Sequence, residues 1–383
     1  MVRKPFGLFM APFHCPPGHN PTAAYARDLA VLRLVDELGF DEAWIGEHHS
    51  CGCELIPDPF IFIAHAANHT RHLRLGAGVI SLPYHNPLWT ADRALFLDHL
   101  THGRFMLGLG PGALPTDAAM VGISPEEQRE AFEGDVDVLM ALLRGEIVTA
   151  RTSRYTLVEA RTQLAPYSDF EVAVAAVTSP TGPRAAAKNG TGLLSLGATA
   201  RAGFDALALH WDVMEQRGVE HGRPPERGRW RLVGPMHLAE TREQAVEDVR
   251  YGLDDWADYT QHILAAPHFR AAGSSFAERV AWVNDTGLGV IGTPDDAIAQ
   301  IQRLQAQSGG FGPYLLMHHE WARPDATARS YELFARHVMP RFQGTHERSV
   351  AAADYARSRF HELDRRHADA IRAATERHTA RSR

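Results

Sequence analysis

Six histidines stand where they could do chemistry: His14, His48, His49, His85, His318 and His319 each end or follow a short apolar run. The chain holds 22 histidines, so their placement is the signal and not their number. Histidine titrates near neutral pH and can serve as general acid, general base or donor to an oxyanion. The densest segment is Glu47-His-His-Ser-Cys-Gly-Cys53. Thiolates and imidazoles also suit transition metals. The spacing opposes that use, because Cys-x-Cys beside adjacent histidines closes no tetrahedral site and no His-Glu-x-x-His pattern completes one. Neighbouring side chains on a strand also point to opposite faces, which divides His48 from His49. No metal is expected. Two further segments suit an anion: Gly108-Leu-Gly-Pro-Gly112 and Thr178-Ser-Pro-Thr-Gly182. The second opens a helix, where free backbone N–H groups and hydroxyls favour a phosphate. Its plain alternative is an ordinary helix cap with proline in the first turn.

The elements that must position these residues alternate along the chain. Short apolar runs at 6–11, 41–47, 73–82, 104–109, 171–177, 193–196, 231–239 and 313–317 read as eight buried strands. Helical stretches follow them at 21–38, 59–69, 87–100, 124–143, 181–189, 200–217, after Thr241, at 295–307 and at 325–342. Residues 147–167 alternate β-branched and polar types and predict a hairpin or irregular insertion, while 264–292, rich in glycine and broken by Pro267, predict a loop. Eight strand–helix units are the arithmetic of an α/β protein of the (β/α)8 TIM-barrel type with loop insertions. A doubly wound sheet would carry a glycine-rich fingerprint after its first strand, and Pro12-Phe-His-Cys-Pro-Pro17 is no such thing. The expected division is a barrel domain over 1–343 and a C-terminal helical extension over 344–383. In a barrel the active site lies at the C-terminal ends of the strands, where the six histidines fall.

Composition narrows the class without naming the chemistry. The 383 residues are 45% apolar and 22% charged with a net charge of −7, which suits a soluble globular protein and disfavours nucleic acid or an anionic membrane as partner. No apolar run approaches the length of a membrane span. Cys15, Cys51 and Cys53 make no disulfide framework and fit a reducing compartment, so a cytoplasmic location is expected.

The residues also carry a resemblance. Phe6-Gly-Leu-Phe9, Leu38-Gly-Phe-Asp-Glu-Ala-Trp-Ile-Gly-Glu-His-His49, Leu82-Pro83 before His85-Asn-Pro87, His102-Gly-Arg-Phe105 with Gly108-Leu-Gly110, and Ser179 ahead of Thr181-Gly-Pro-Arg184 occur in order. Together they resemble the bacterial luciferase-like flavin monooxygenases over most of residues 5 to 200. The stretch Gly110-Pro-Gly-Ala-Leu-Pro115 is most similar to the limonene and diketocamphane monooxygenase branch. The resemblance implies reduced FMN, delivered by a separate NAD(P)H-dependent flavin reductase, and O2 as co-substrate. A flavin C4a-peroxide would insert one oxygen atom into a hydrophobic organic substrate by hydroxylation, epoxidation or Baeyer–Villiger chemistry.

On that resemblance His48 supports the peroxide, and Glu47 lies beside the isoalloxazine. Gly78-Val79 matches a strand-three segment that often holds a non-prolyl cis peptide against the flavin. Gly110 takes the place of luciferase's reactive cysteine, and Thr178, Ser179 and Gly182 match the phosphate site. Pro111 stands where luciferase proper has a phosphate-holding arginine, so either Arg184 substitutes or FMN binds weakly as a true co-substrate. Phe13, Ile56, Phe60, Tyr84, Met120 and Trp321 flank the predicted mouth and are expected to form an apolar substrate pocket. A homodimer is implied. The same fold also serves deazaflavin-dependent hydride transfer and non-catalytic flavin-binding subunits; residues 108–115 oppose the first and His48 the second.

Overall fold

The computed structural model describes residues 3–11, 13–15, 18–200, 206–264, 270 and 273–381. Its strands are β1 (Phe6–Met10), β2 (Glu42–Ile45), β3 (Arg74–Ser81), β4 (Phe105–Gly110), β5 (Val148–Arg151), β6 (Thr156–Ala160), β7 (Val172–Ala176), β8 (Gly192–Leu196), β9 (Trp230–Leu238), β10 (Val290–Gly292) and β11 (Tyr314–Met317). The helices are α1 (Pro21–Glu37), α2 (Pro59–Ala66), α3 (Pro87–Leu100), α4 (Pro115–Met120), α5 (Pro125–Leu143), α6 (Thr181–Asn189) and α7 (Ala206–Glu220). They continue with α8 (Arg242–Asp248), α9 (Leu253–His262), α10 (Phe276–Asp285), α11 (Pro294–Ser308), α12 (Pro324–Leu333), α13 (Met339–Gln343) and α14 (Glu347–Arg381).

Parallel strands covered by helices lose both faces to the interior, and so they read as unbroken apolar runs. All eight predicted strands form and close a barrel in the order β1-β2-β3-β4-β7-β8-β9-β11, with β11 pairing back onto β1. Helix starts are written locally: Asn20, Asp58 and Asn86 cap α1, α2 and α3 through their side chains, each with proline in the first turn. Ser124 and Glu127 form a capping box at α5. Phe9, Trp44, Met106, Ala173, Leu194, Val233 and Leu315 fill the barrel interior. Ala11, Leu196 and Met317, partly buried at the C-terminal strand ends, make the upper surface of that packing. At the opposite end Arg231 forks onto Glu42, Nε to Oε1 at 2.7 Å and Nη2 to Oε2 at 3.2 Å, with both side chains buried. Trp44 Nε1 donates to the same carboxylate at 3.0 Å.

Three expectations need correction. Residues 264–292 are not a loop throughout, for they carry α10 and β10. Ser275 and Glu278 box the start of α10, and Asn284 holds Ile291 through both its backbone N–H and C=O. β10 extends the sheet beside the C-terminal half of β9, and a three-residue strand is too short to show a period in the sequence. The helical region after Thr241 is broken at Gly252, which sits so close to the Glu320 carbonyl that a Cβ would lie 2.1 Å from it. The helix expected from Ala200 is described only from Ala206, and residues 201–205 lie outside the described residues. The hairpin foreseen within 147–167 is the antiparallel pair β5–β6.

The third correction concerns the cysteines. Cys15 and Cys53 form a disulfide with a Cα–Cα distance of 5.1 Å, and Cys51 stays free and buried. Their separation of 38 residues hides the pairing in the sequence. The parallel pairing of β1 with β2 brings the loops after them side by side.

The chain divides into one compact unit at Lys4–Met339 and another running from Pro340. In the second, α14 is a 35-residue helix in which no residue is buried. Among the described residues no helix is long and apolar enough to cross a membrane.

Candidate active site at the barrel mouth

The loop after β2 carries Glu47, His48 and His49 and sends the two histidines different ways. His48 lies between two carboxylates: Nε2 is 2.8 Å from Glu54 Oε2 and Nδ1 is 3.2 Å from Asp117 Oδ2. Its backbone N–H donates to Ile56 O at 3.2 Å. Asp117, in the short α4 that follows β4, also accepts from the His49 backbone N–H at 3.1 Å and from the Ser50 hydroxyl. Glu54 accepts from Tyr259 Oη at 2.7 Å, across from α9. Burial opposes charge on His48, but the Glu54 and Asp117 carboxylates outweigh it and hold the imidazole well above its ordinary value of 6.5. The two carboxylates thus favour the imidazolium form of His48.

Glu47 organises a second cluster. Its Oε1 accepts from His49 Nε2 at 2.9 Å and from His85 Nε2 at 2.8 Å, and its Oε2 accepts from the Ser81 backbone N–H at 2.9 Å. Burial alone would raise its pKa, yet the hydrogen bonds from His49, His85 and the Ser81 backbone pull it down to about 2. Glu47 is thus ionised and fully occupied, and it ties the β2 loop to the end of β3.

The six strand-end histidines form two groups. His48, His49 and His85 belong to the clusters above. His14 turns outward, with Nε2 3.1 Å from Asp28 of α1 and Nδ1 3.1 Å from Glu320, which also meets Arg27 at 3.0 Å. Burial disfavours its charge, but Asp28 and Glu320 lift it to about 9. His318 meets the Tyr331 hydroxyl at 2.7 Å, and His319 donates to Met236 O at 3.2 Å. A cavity of about 170 Å³ between α1 and α12 lies beside this outer group.

The peptide bond between Gly78 and Val79 is cis, the isomer that the resemblance implies there. The pairing of β3 with β4 shifts register between Ala77 and Ile80, on either side of that bond. Gly110 sits under Val79, where a Cβ would come 2.6 Å from Val79 Cγ2, so its lack of a side chain serves packing between β3 and β4. Thr178 and Ser179 are exposed ahead of α6, whose N-terminus has no side-chain cap. Gly182 brings that helix against β7, since a Cβ there would lie 2.1 Å from the Ala175 carbonyl. Arg184 is half exposed and faces Glu133 at 3.8 Å.

The expected pocket residues do not all converge. Phe13 and Trp321 join one buried apolar cluster with Leu114, Trp256 and Tyr259, in which the Phe13 and Tyr259 rings lie 5.0 Å apart. Ile56 is buried beside the His48 backbone. Tyr84 is partly buried, and its hydroxyl accepts from Gln128 Nε2 at 2.7 Å. Burial and the Asp117 and Glu47 charges push its phenol up, so it stays neutral. Phe60 instead packs on Phe105, where β4 begins, and lies on the outer wall. Met120 is 68% exposed, because α4 turns Asp117 and Ala118 inward and leaves Met120 at its outer end. Sequence reasoning missed Asp117, Glu54 and Tyr259. Only the proximity of Glu54 to the histidine segment hinted at any of them.

Comparison with known proteins places this geometry in a family. A model of the luciferase-like monooxygenases matches residues 5–310. Limonene 1,2-monooxygenase of Rhodococcus erythropolis is 46% identical over 89% of this chain and 87% of its own. The 4-hydroxyprotoasukamycin monooxygenase of Streptomyces nodosus subsp. asukaensis is 41% identical over 90% of this chain and 94% of its own. The fold also matches the oxygenating constituent of 3,6-diketocamphane monooxygenase of Pseudomonas putida, solved in complex with FMN. That structure aligns at TM-score 0.71 and 24% identity, over 88% of this chain and 99% of its own. With a barrel closed by eight parallel strands and a family model spanning most of its length, the chain belongs to the luciferase-like monooxygenases.

Proposed function

We propose that this chain is the oxygenase component of a two-component system. It would take reduced FMN from a separate NAD(P)H-dependent flavin reductase and, with O2, place one oxygen atom in a hydrophobic organic substrate. The observation that carries this reading is the His48 ring set between the Glu54 and Asp117 carboxylates at the C-terminal mouth of the barrel. The apolar surface of Ala11, Leu196 and Met317 suits the face of a planar ring. The uncapped end of α6, with Thr178, Ser179 and Gly182, suits a phosphate, so the residues present fit FMN. Gly78, Val79 and Gly110 would shape the wall beside the ring. Bound there, reduced FMN would supply the two electrons that activate O2.

The chain's own residues would do the rest. His48 would hold positive charge where negative charge builds on oxygen, an effect that grows when water is excluded. Glu47 would position His49, His85 and the end of β3. Phe13, Ile56, Trp321 and Tyr84 would keep water from the site and shape it for an apolar substrate. The name of the 46% identical relative makes limonene the first substrate probe. In this reading the barrel over 1–343 carries the chemistry, in the cytoplasm, and the helical tail over 344–383 is an appendage.

We also infer a homodimer, supported by Ile61, Trp89, Phe96 and Leu100, all at least half exposed on α2 and α3. Sedimentation should read the mass of two chains, and a single-chain mass would contradict it.

Oxygen uptake tests the main proposal. With chemically reduced FMN and limonene, the protein should accelerate O2 consumption and release oxidised FMN and an oxygenated product. Hydride transfer to a deazaflavin with no O2 uptake would overturn it.

A further inference from the structure

We propose that Cys15 and Cys53 form a reversible dithiol–disulfide site that tightens the grip of Glu54 on His48 when oxidised. This rests on the role assigned to His48 above. The chain has three cysteines, and all of them lie in one knot of chain beside the mouth. The bridge joins the loop after β1 to the loop after β2. Cys53 immediately precedes Glu54, whose carboxylate faces His48. Around the bridge, His14 N donates to Cys53 O at 2.7 Å and Phe13 pairs with Glu54. Free Cys51 lies on the other side, its sulfur 3.2 Å from the Glu54 backbone N–H. Beyond its contacts with His48 and Tyr259, Glu54 is held by Cys51 and by Phe13, two residues from Cys15.

Access differs across the pair. Cys53 is fully buried, whereas Cys15 is partly exposed and gives a thiol or peroxide a point of entry. Oxidation balances simply: two thiols and one hydrogen peroxide give one disulfide and two waters. A dithiol reductant returns the two electrons and two protons. In a reducing compartment such a pair does not stay oxidised by default, which makes it responsive to peroxide. Peroxide is also what an oxygenase of this kind releases when oxygen activation fails to reach substrate. The device would tighten the site when leakage rises.

His48 is faced by Glu54 from its own loop and by Asp117 from α4, with Cys51 and His49 nearby and Tyr259 behind Glu54. Opening the bridge leaves Asp117 in place and frees Glu54 to drift.

The test uses the full chain in its oxidised and dithiol-reduced states. Denatured protein should show one free thiol when oxidised, from Cys51, and three after reduction. The His48 ring signal, assigned by its loss in His48→Gln, should titrate at lower pH in the reduced protein. Hydrogen peroxide release from reduced FMN and O2 should rise by up to about a hundredfold, the scale of a ~1 Å misplacement near the reacting atoms. Cys15→Ser and Cys53→Ser should each match the reduced state whatever the redox conditions. Cys51→Ala should keep the response. Three free thiols in peroxide-treated protein, or one His48 titration in both states, would overturn the proposal. A shift in the His48 titration without any flavin-dependent O2 uptake would instead count against the oxygenase reading alone.

Discussion

His48→Asn is expected to lower product formation by about a thousandfold while FMN still binds, the range seen when a positioned acid or an oxyanion partner is removed. Oxygen uptake should continue and end as hydrogen peroxide. The change also leaves Glu54 and Asp117 facing an emptied charge, so some loss of stability will accompany it. The double variant His48→Asn with Glu54→Gln separates the two effects, because it removes the excess charge and should regain stability but not product. The pH dependence has a fixed sign. The imidazolium is held above 6.5 in the folded protein, so its contribution is whole at lower pH and fades as pH rises through the raised value. The alkaline limb of the product profile should move to lower pH in Glu54→Gln. An alkaline limb unmoved by that change would contradict the assignment.

Glu42→Gln is expected to cost about 3–5 kcal/mol of stability, because it leaves the buried Arg231 guanidinium without its forked partner. Glu171, 3.7 Å from Arg231 Nη2, offsets part of that. The pair sits at the N-terminal end of the strands, the stability face of such a barrel, so the activity of the remaining folded protein should be unchanged. Thermal and urea unfolding read the first claim, and turnover per folded molecule reads the second. Wild-type midpoints would show that the fork contributes nothing.

The two variants probe opposite ends of one barrel, and the sequence reveals those ends unequally. The eight strands were legible because burial on both faces makes apolar runs such as Phe6–Met10 and Phe105–Gly110 stand out between polar helices. The histidines were legible because strand ends in this architecture point to the mouth. Their division was not. His14 and His48 occupy equivalent places in the sequence pattern, and only tertiary structure gives one to Asp28 of α1 and the other to Asp117 of α4. Glu54 and Asp117 reach His48 directly and Tyr259 backs Glu54 from 205 residues away, a distance no local pattern carries. The Cys15–Cys53 bridge was hidden for the same reason, and β10 because three residues show no period. Phe60 packs on Phe105 and Met120 is largely exposed, because apolar character near a loop does not say which way a side chain turns.

On the proposed function, this mouth activates O2 with reduced FMN and passes one atom to an apolar substrate under the charge of His48. Labelled oxygen tests it most directly. In a single turnover with chemically reduced FMN, limonene and ¹⁸O2, the wild-type chain should give product heavier by one labelled atom. His48→Asn should return the label as hydrogen peroxide. Product without label, or equal labelling of product by both proteins, would contradict the account.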